Sequence, residues 1–417
     1  MPTCSRPLRW YEDPACLQPP SSGRRGRQCL GRDHRPVAQT RVKSRYFEKD
    51  SRHLSTGVSG KITAFAHGLY PVATLREFAA RLETDRPDIV HSHELYPLLT
   101  PWLFPLCARA GVPVVHSCYD FRITCPIATH HDGAAVCNRC TDQGAHHALQ
   151  RNCRNSLPES AAFALRHAVA QRRNLYDHVS RFIVLTDFSR NWLHRHAAIP
   201  IDRISVNECA IPAAPDPVDP AVGRYFAFAG RFVPEKGLDV LIEAARLSGL
   251  PIHVAGPAGS DPAPLQAHGV PVTITDGPAS LAAVYRGARA LVVPNLWFET
   301  FAIVAAEAMA HGVPVIASRI GALQDTVREG VTGLHFAPGD AADLARQMRR
   351  LWDDPALCRR LGVAGHADVR ARFNEDAHFD RLIAAYEAAL RAPASPLPDI
   401  RQSRSARSLA PMRARAR

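Results

Sequence analysis

Short apolar runs of strand length recur along the chain with helix-period segments between them, and the alternation happens twice. In the first half PDIVHSH, VPVVHSC, RFIVLT and RISVNECAIP read as buried strands, with AARLETDRPD, TPWLFPLCARAG and FALRHAVAQRRNLY as the connecting segments. In the second half RYFAFAG, PIHVAG, PVTIT, ARALVVP, VPVIAS and TGLHF each lead into a helix-like stretch such as LDVLIEAARLS or AIVAAEAMAHG. Strands repeatedly followed by helices build a parallel sheet covered on both faces. The pattern predicts an α/β architecture of two Rossmann-like, doubly wound domains. The cleft between them lies at the carboxyl ends of the strands, where such sheets bind ligands. Pro212, Pro215, Pro217, Pro220 and Gly223 crowd the stretch 212–223, which continues neither a helix nor a central strand and is therefore the linker. The expected domains are 46–211 and 224–391.

Charge narrows the partners. The chain of 417 residues carries a net +12, but 1–45 hold +7 and 393–417 hold +5, which leaves the middle neutral. The basicity belongs to two Pro/Arg/Ser-rich segments, 1–45 and 392–417, expected to be disordered, and not to a binding face. No specific nucleic-acid partner is expected. The C-terminal tail offers at most a weak polyanion or peripheral membrane contact. No run approaches the ~18 apolar residues of a membrane span, and no apolar segment opens the chain, so the expected location is cytoplasmic or peripheral at the inner membrane face.

Two stretches of the second half carry chemistry. The strand YFAFAG ends in Gly230-Arg231-Phe232-Val233-Pro234-Glu235-Lys236-Gly237, and a helical pattern begins at Leu238. Arg231 and Lys236, at the mouth of a strand-to-helix connection, can both reach one anionic group, and the glycines let the backbone turn around it. Lys236 is one of four lysines in an arginine-rich chain, which favours phosphate binding over two solvated loop cations. The second stretch, ARALVVPNLWFETFAIVAAEAMAHGVPVIAS, reads as a buried strand, a turn, a helix from about Thr300 and another buried strand. The amides of Phe301, Ala302 and Ile303 at such a helix start could donate to a diphosphate. Glu299 and Glu307, eight residues apart, would span about 12 Å on a helix, close to the length of a nucleotide sugar from hexose to ribose. Glu307 stands in the otherwise apolar AIVAAEAMA, where its carboxylate needs a ribose diol, or else a backbone group or an arginine, to satisfy it.

These pieces together resemble a known family. Gly-Arg-x4-Lys-Gly at 230–237, the Glu-x7-Glu pair, and Gly321-Ala322-Leu323-Gln324-Asp325 followed by Gly330-Val331-Thr332-Gly333 look like the donor domain of family-4 retaining glycosyltransferases, group 1 enzymes of GT-B fold. The resemblance covers 46–391 and is tightest in the second half. It implies transfer of a sugar from a nucleoside diphosphate donor, a UDP- or GDP-sugar, to a glycan or lipid-linked acceptor hydroxyl, in cell-surface polysaccharide or glycolipid synthesis. By position it places Arg231 and Lys236 on the donor diphosphate, and Glu299 on the donor-sugar hydroxyls as a catalytic residue. It places the amides of Phe301, Ala302 and Ile303 on phosphate and sugar, and Glu307 on the ribose. Ala322 stands where the family usually has glycine, and Asp325 where it usually has glutamate. The family's retention is usually ascribed to front-face attack within an ion pair, so no nucleophile is assigned. No cofactor is required for catalysis, and the chain has no Asp-x-Asp to clamp a metal. The competing readings are a catalytically inactive nucleotide-sugar-binding protein and a nucleotide-sugar 2-epimerase, the latter disfavoured by the Glu-x7-Glu spacing.

The first half is a looser match. PDIVHSH ends a strand with His91 and His93, and VPVVHSCYDFRITCP resembles the family's strand ending in His-Asp-aromatic, with Tyr119 at the histidine position and Asp120 after it. Tyr119 and Asp120 are therefore candidate catalytic residues beside Glu299; the alternative is an ordinary strand-end turn. His116 falls on the opposite face of that strand from Tyr119. The family's opening strand and Gly-rich loop have no counterpart in 1–45, which suggests a first strand missing or replaced, or a start that reads through unrelated sequence. Residues 118–155 form a Cys-rich insertion. Cys125, Cys137, Cys140 and Cys153 offer four soft ligands for a structural zinc, with reduced thiols or disulfides as the alternatives.

Overall fold

The computed structural model describes residues 45–49, 65–96, 98–133, 135–214 and 216–391. The expected tails, apart from Arg45, and the question of a first strand within 1–45 lie outside them. The first half runs α1 (Val72–Asp85), β1 (Val90–Ser92), α2 (Leu103–Arg109), β2 (Val114–Ser117), two short helices α3 (Arg139–Gln143) and α4 (His147–Gln150), α5 (Leu157–Arg172), β3 (Arg181–Val184), α6 (Asp187–His196) and β4 (Ile204–Val206). The second half runs β5 (Tyr225–Ala229), α7 (Leu238–Ser248), β6 (Ile252–Pro257), α8 (Ala263–Gln266), β7 (Val272–Thr275), α9 (Pro278–Arg286), β8 (Ala288–Val293), α10 (Ile303–Ala310), β9 (Val315–Ser318), α11 (Leu323–Thr326), β10 (Gly333–Phe336), α12 (Ala341–Asp353), α13 (Pro355–Arg372) and α14 (Glu375–Arg391).

Each apolar run expected to be a strand forms one. The described strands make two sheets, β1-β2-β3-β4 and β10-β9-β8-β5-β6-β7, with every pair parallel. Parallel neighbours need crossovers, and the crossover helices cover both faces, which is why β8 is buried at all six positions. α12 illustrates how such a helix seats itself. Asp340 caps it by accepting from the Asp343 amide at 2.8 Å, and Leu344, Ala345, Met348 and Leu351 bury one side against the sheet.

The order of the second sheet reverses between β5 and β8: β6 and β7 extend from one, β9 and β10 from the other. Loops leaving two strands at such a reversal part to opposite faces and open a crevice at their carboxyl ends. The 230–237 loop and the turn beginning at Pro294 are those two connections.

α14 lies within the span expected for the second domain, yet it packs on the first sheet. Its Leu382, Ala385, Tyr386 and Ala389 sit against Ile89, Val115 and Ile183, and the Tyr386 hydroxyl is 2.8 Å from His91 Nδ1. A periodic apolar stripe tells that a helix is buried, not which sheet it covers.

The domains also meet across the cleft. Thr300 Oγ1 donates to Tyr119 O at 3.0 Å, Thr186 Oγ1 to Thr300 O at 3.2 Å, and the Phe188 amide to Asp325 Oδ2 at 2.6 Å. Phe298 from the second domain lies 5.0 Å from Trp192 and 5.1 Å from Phe188 of the first, ring centre to ring centre. Asp325, where the family usually has glutamate, thus binds the amide end of α6 in the other domain, and burial raises its carboxyl pKa.

Candidate active site

Close backbone approach brings the two connections together. Gly237 adopts φ +67°, and a Cβ there would lie 1.9 Å from Pro294 O, so the 230–237 loop rests directly on the end of β8. Lys236, the residue before, is paired with Glu299. Oε1 of Glu299 also accepts from Asn295 Nδ2 at 2.7 Å and from Trp297 Nε1 at 3.1 Å. Three donors therefore fix this carboxylate, with Lys236 20% and Glu299 18% exposed.

The helix expected from about Thr300 begins at Ile303, with Ala302 as its N-cap at φ +61°. The cause is tertiary. Thr326 Oγ1 donates to Phe301 O at 2.6 Å, Thr300 is tied to Tyr119 O, and Phe301 is buried, which together hold 299–302 as a turn. A left-handed conformation costs an alanine roughly 1–2 kcal/mol, and such outliers cluster at functional sites. Glu299 consequently precedes the helix, and a helical span of Glu299 to Glu307 does not exist. What the turn provides is donors. The amides of Phe301, Ala302, Ile303 and Val304 have no backbone acceptor among the described residues. These four residues line a cavity of about 290 Å³ with Lys236, Asn295, Glu299, Thr300, Tyr119 and Glu94.

The remaining candidates are placed as follows. Arg231 is exposed at the start of its loop and stands outside that lining. Glu307 lies further along α10, half-buried, and accepts from the Tyr285 hydroxyl at 3.2 Å, a partner the sequence did not suggest. Tyr119 lines the cavity, with its hydroxyl 3.0 Å from His93 Nδ1 and its ring stacked on that imidazole. Asp120 turns into a smaller neighbouring cavity and pairs with Arg122 at 2.7 Å. His116 hydrogen-bonds Ser92 at 2.9 Å among the rings of Phe104 and Phe182, and burial pushes its pKa down to about 4.

Cys125, Cys137, Cys140 and Cys153 are all free thiols. Burial, with the neighbouring thiols adding to it, pushes Cys140 up to about 12. Among the described residues no group of three or more His, Cys, Asp or Glu side chains is arranged to hold a metal ion, so this arrangement gives the zinc reading no support. Asn295, Trp297 and Glu94 escaped the sequence reading. Each follows a buried strand within a few residues, the position from which a parallel sheet addresses its ligands.

Two parallel-sheet domains facing each other across a cleft are the architecture of GT-B glycosyltransferases. Residues 219–368 match the family described as glycosyl transferases group 1, and residues 31–210 match the glycosyl transferase 4-like domain. The D-inositol 3-phosphate glycosyltransferase of Actinosynnema mirum is 31% identical over 360 residues, 78% of this chain and 77% of that protein. The enzyme of the same name from Mycobacterium leprae strain TN is 32% identical over 363 residues, 79% and 74%. Sucrose-phosphate synthase from Thermosynechococcus elongatus shares the fold with a TM-score of 0.57 at 21% identity over 83% of each chain. Anabaena HepE in complex with UDP and glucose does so with 0.54 at 15% identity, over 85% of this chain and 88% of that one. The chain belongs to the group 1, family-4 glycosyltransferases. Among its described residues no helix is long and apolar enough to cross a membrane.

Proposed function

We propose that the protein transfers a sugar from a UDP- or GDP-sugar to an acceptor hydroxyl with retention at the anomeric carbon. The observation that carries this reading is the convergence of Lys236, Glu299 and four unpaired amides on one cavity at the sheet reversal. In the reaction the bond from the anomeric carbon to the donor's phosphate oxygen breaks, and its electron pair leaves with the diphosphate. The acceptor oxygen bonds to that carbon as its proton passes to the departing phosphate. Charge growing on the phosphate is met by Lys236 and the amides of Phe301 to Val304, with Arg231, exposed at the loop start, meeting the diphosphate outside the cavity lining. Glu299, held by Asn295 and Trp297, accepts from the sugar hydroxyls, and Glu307 from the ribose. The UDP and glucose named for HepE support this donor class. The acceptor would be a glycan or a lipid-linked sugar of the cell surface.

The test is release of UDP or GDP from the corresponding sugar donors in the presence of candidate acceptors, with nucleotide binding measured by calorimetry. Lys236→Ala and Arg231→Ala should each lower turnover by about 10²-fold or more, the usual consequence of deleting one preorganised electrostatic contact. Wild-type turnover in both variants, or no binding of either nucleotide to the native protein, would refute the reading.

A further inference from the structure

Two cavities meet at the cleft. The one described above is lined mostly by the second domain, with Glu94, Tyr119, Leu185 and Cys209 from the first. The smaller one lies in the first domain against His93, Tyr96, Asp120, Arg122 and Tyr176. Glu94 and Tyr119 are the two residues that line both. Glu94 follows β1 by two residues, so the strand end delivers it to the junction, where it shares a cavity with Lys236 and Glu299.

The chemistry of that junction is uneven. Oε2 of Glu94 is 3.2 Å from Arg122 Nη2, and the same nitrogen is 2.7 Å from Asp120 Oδ2. The ion pair engages Oε2, and the side chain, 23% exposed, opens onto both cavities. Burial raises the Glu94 pKa against the pull of Arg122, which makes its ionised form a strong hydrogen-bond acceptor. Across the cleft Lys236 is committed to Glu299. The other nearby cation, Arg166, stacks on Tyr96 at 3.8 Å and on Phe163 at 4.3 Å and lines neither cavity. The first-domain wall of the junction therefore presents two carboxylates against one guanidinium that both of them already engage.

On the reading that this cavity holds a nucleotide sugar, we infer that Glu94 binds the acceptor, taking a hydrogen bond from the attacking hydroxyl, and that the acceptor is an uncharged polyol or sugar. A phosphate carried at that end would face Glu94 and Asp120, and among the described residues the lysine and arginine lining the two cavities are Lys236, which the donor diphosphate would take up, and Arg122, which both carboxylates engage. An acceptor of the kind in the relatives' name, D-inositol 3-phosphate, is thus disfavoured here, whereas the hydroxyls of a neutral sugar find a carboxylate to donate to.

The experiment uses the full-length protein, a donor shown to bind, and matched acceptor pairs: myo-inositol against D-inositol 3-phosphate, and glucose against glucose 6-phosphate. The expected result is a higher kcat/KM for the neutral member of a pair, by about tenfold or more. Glu94→Gln should raise the acceptor KM by a similar factor while leaving UDP or GDP affinity and melting temperature unchanged, and it should narrow the neutral preference. Asp120→Asn should narrow the preference with a smaller effect on acceptor KM. A better rate with a phosphorylated member, or an unchanged acceptor KM in folded Glu94→Gln, would overturn the assignment. Failure of the native protein to bind either nucleotide would instead strike the donor reading beneath it.

Discussion

Replacing Gly237 by alanine tests whether the 230–237 loop and the end of β8 form one rigid unit. At φ +67° the added Cβ would lie 1.9 Å from Pro294 O and 2.8 Å from its carbonyl carbon. The conformation alone costs an L-residue about 1–2 kcal/mol. Overlap with backbone has no rotamer to relieve it, and overpacking adds roughly 1–3 kcal/mol, for an expected loss of about 2–5 kcal/mol. Gly249 is the control. It has φ +66°, but its Cβ would meet nothing nearer than the Arg349 side chain at 3.7 Å, so Gly249→Ala should cost about 1–2 kcal/mol. Urea unfolding of both variants, with donor turnover measured on the folded protein, separates strain from collision. Displacing the loop carries Lys236 away from Glu299, so folded Gly237→Ala should also lose turnover by about 10²-fold, whereas Gly249→Ala keeps it. Equal destabilisation by the two substitutions, or wild-type turnover in Gly237→Ala, refutes the reasoning.

Glu307→Gln should weaken UDP or GDP binding by about 1–3 kcal/mol at an unchanged melting temperature, because glutamine still accepts from the Tyr285 hydroxyl. A lower melting temperature with undiminished nucleotide affinity would make Glu307 structural. Acid should destabilise the first domain through its buried imidazoles. Desolvation holds His116 and His130 at about 4, below the ordinary 6.5, so unfolding takes up protons beneath pH 6.5. The stability they give in full above pH 6.5 is lost as pH falls toward 4, about 2 kcal/mol for each by pH 5. Equal unfolding free energies at pH 7.5 and pH 5 would contradict this.

The strands were legible because each is an uninterrupted apolar run, and burial on both faces of a parallel sheet demands such runs. The same feature located Lys236 and Glu299, since each follows one of the two strands at which the sheet order reverses. What stayed hidden depends on contacts distant in sequence. The turn at 299–302 reads as the start of a helix because TFAIVAAEAMA is rich in alanine and holds no Gly or Pro to stop one, whereas Thr326 and Tyr119 O, far away in the chain, decide its conformation. Tyr285 as the partner of Glu307 was equally invisible, the two being 22 residues apart on separate helices. Nothing in the sequence distinguishes Glu94, because an acidic residue after a strand is common, and only the cavity on each side of it gives it meaning.

The same contacts explain how tyrosine can stand where the family's strand usually ends in histidine. Residue 119 serves the site with its backbone and with its side chain. Its carbonyl accepts from Thr300 Oγ1 and so holds the turn whose amides address the cavity, while its side chain supplies the wall. The first function belongs to the backbone and survives any side chain that keeps the strand end in place. The second is met by a phenol whose hydroxyl meets His93 Nδ1 at 3.0 Å. His93 is itself buried just after β1, and its imidazole stacks on the Tyr119 ring, so the two side chains form one wall. The donor-side turn is consequently built by both domains. Opening the cleft would break the Thr300 bond, while the Thr326 bond to Phe301 O, made within the second domain, would still hold the other half of the turn, so the first domain steadies the amides rather than creating them.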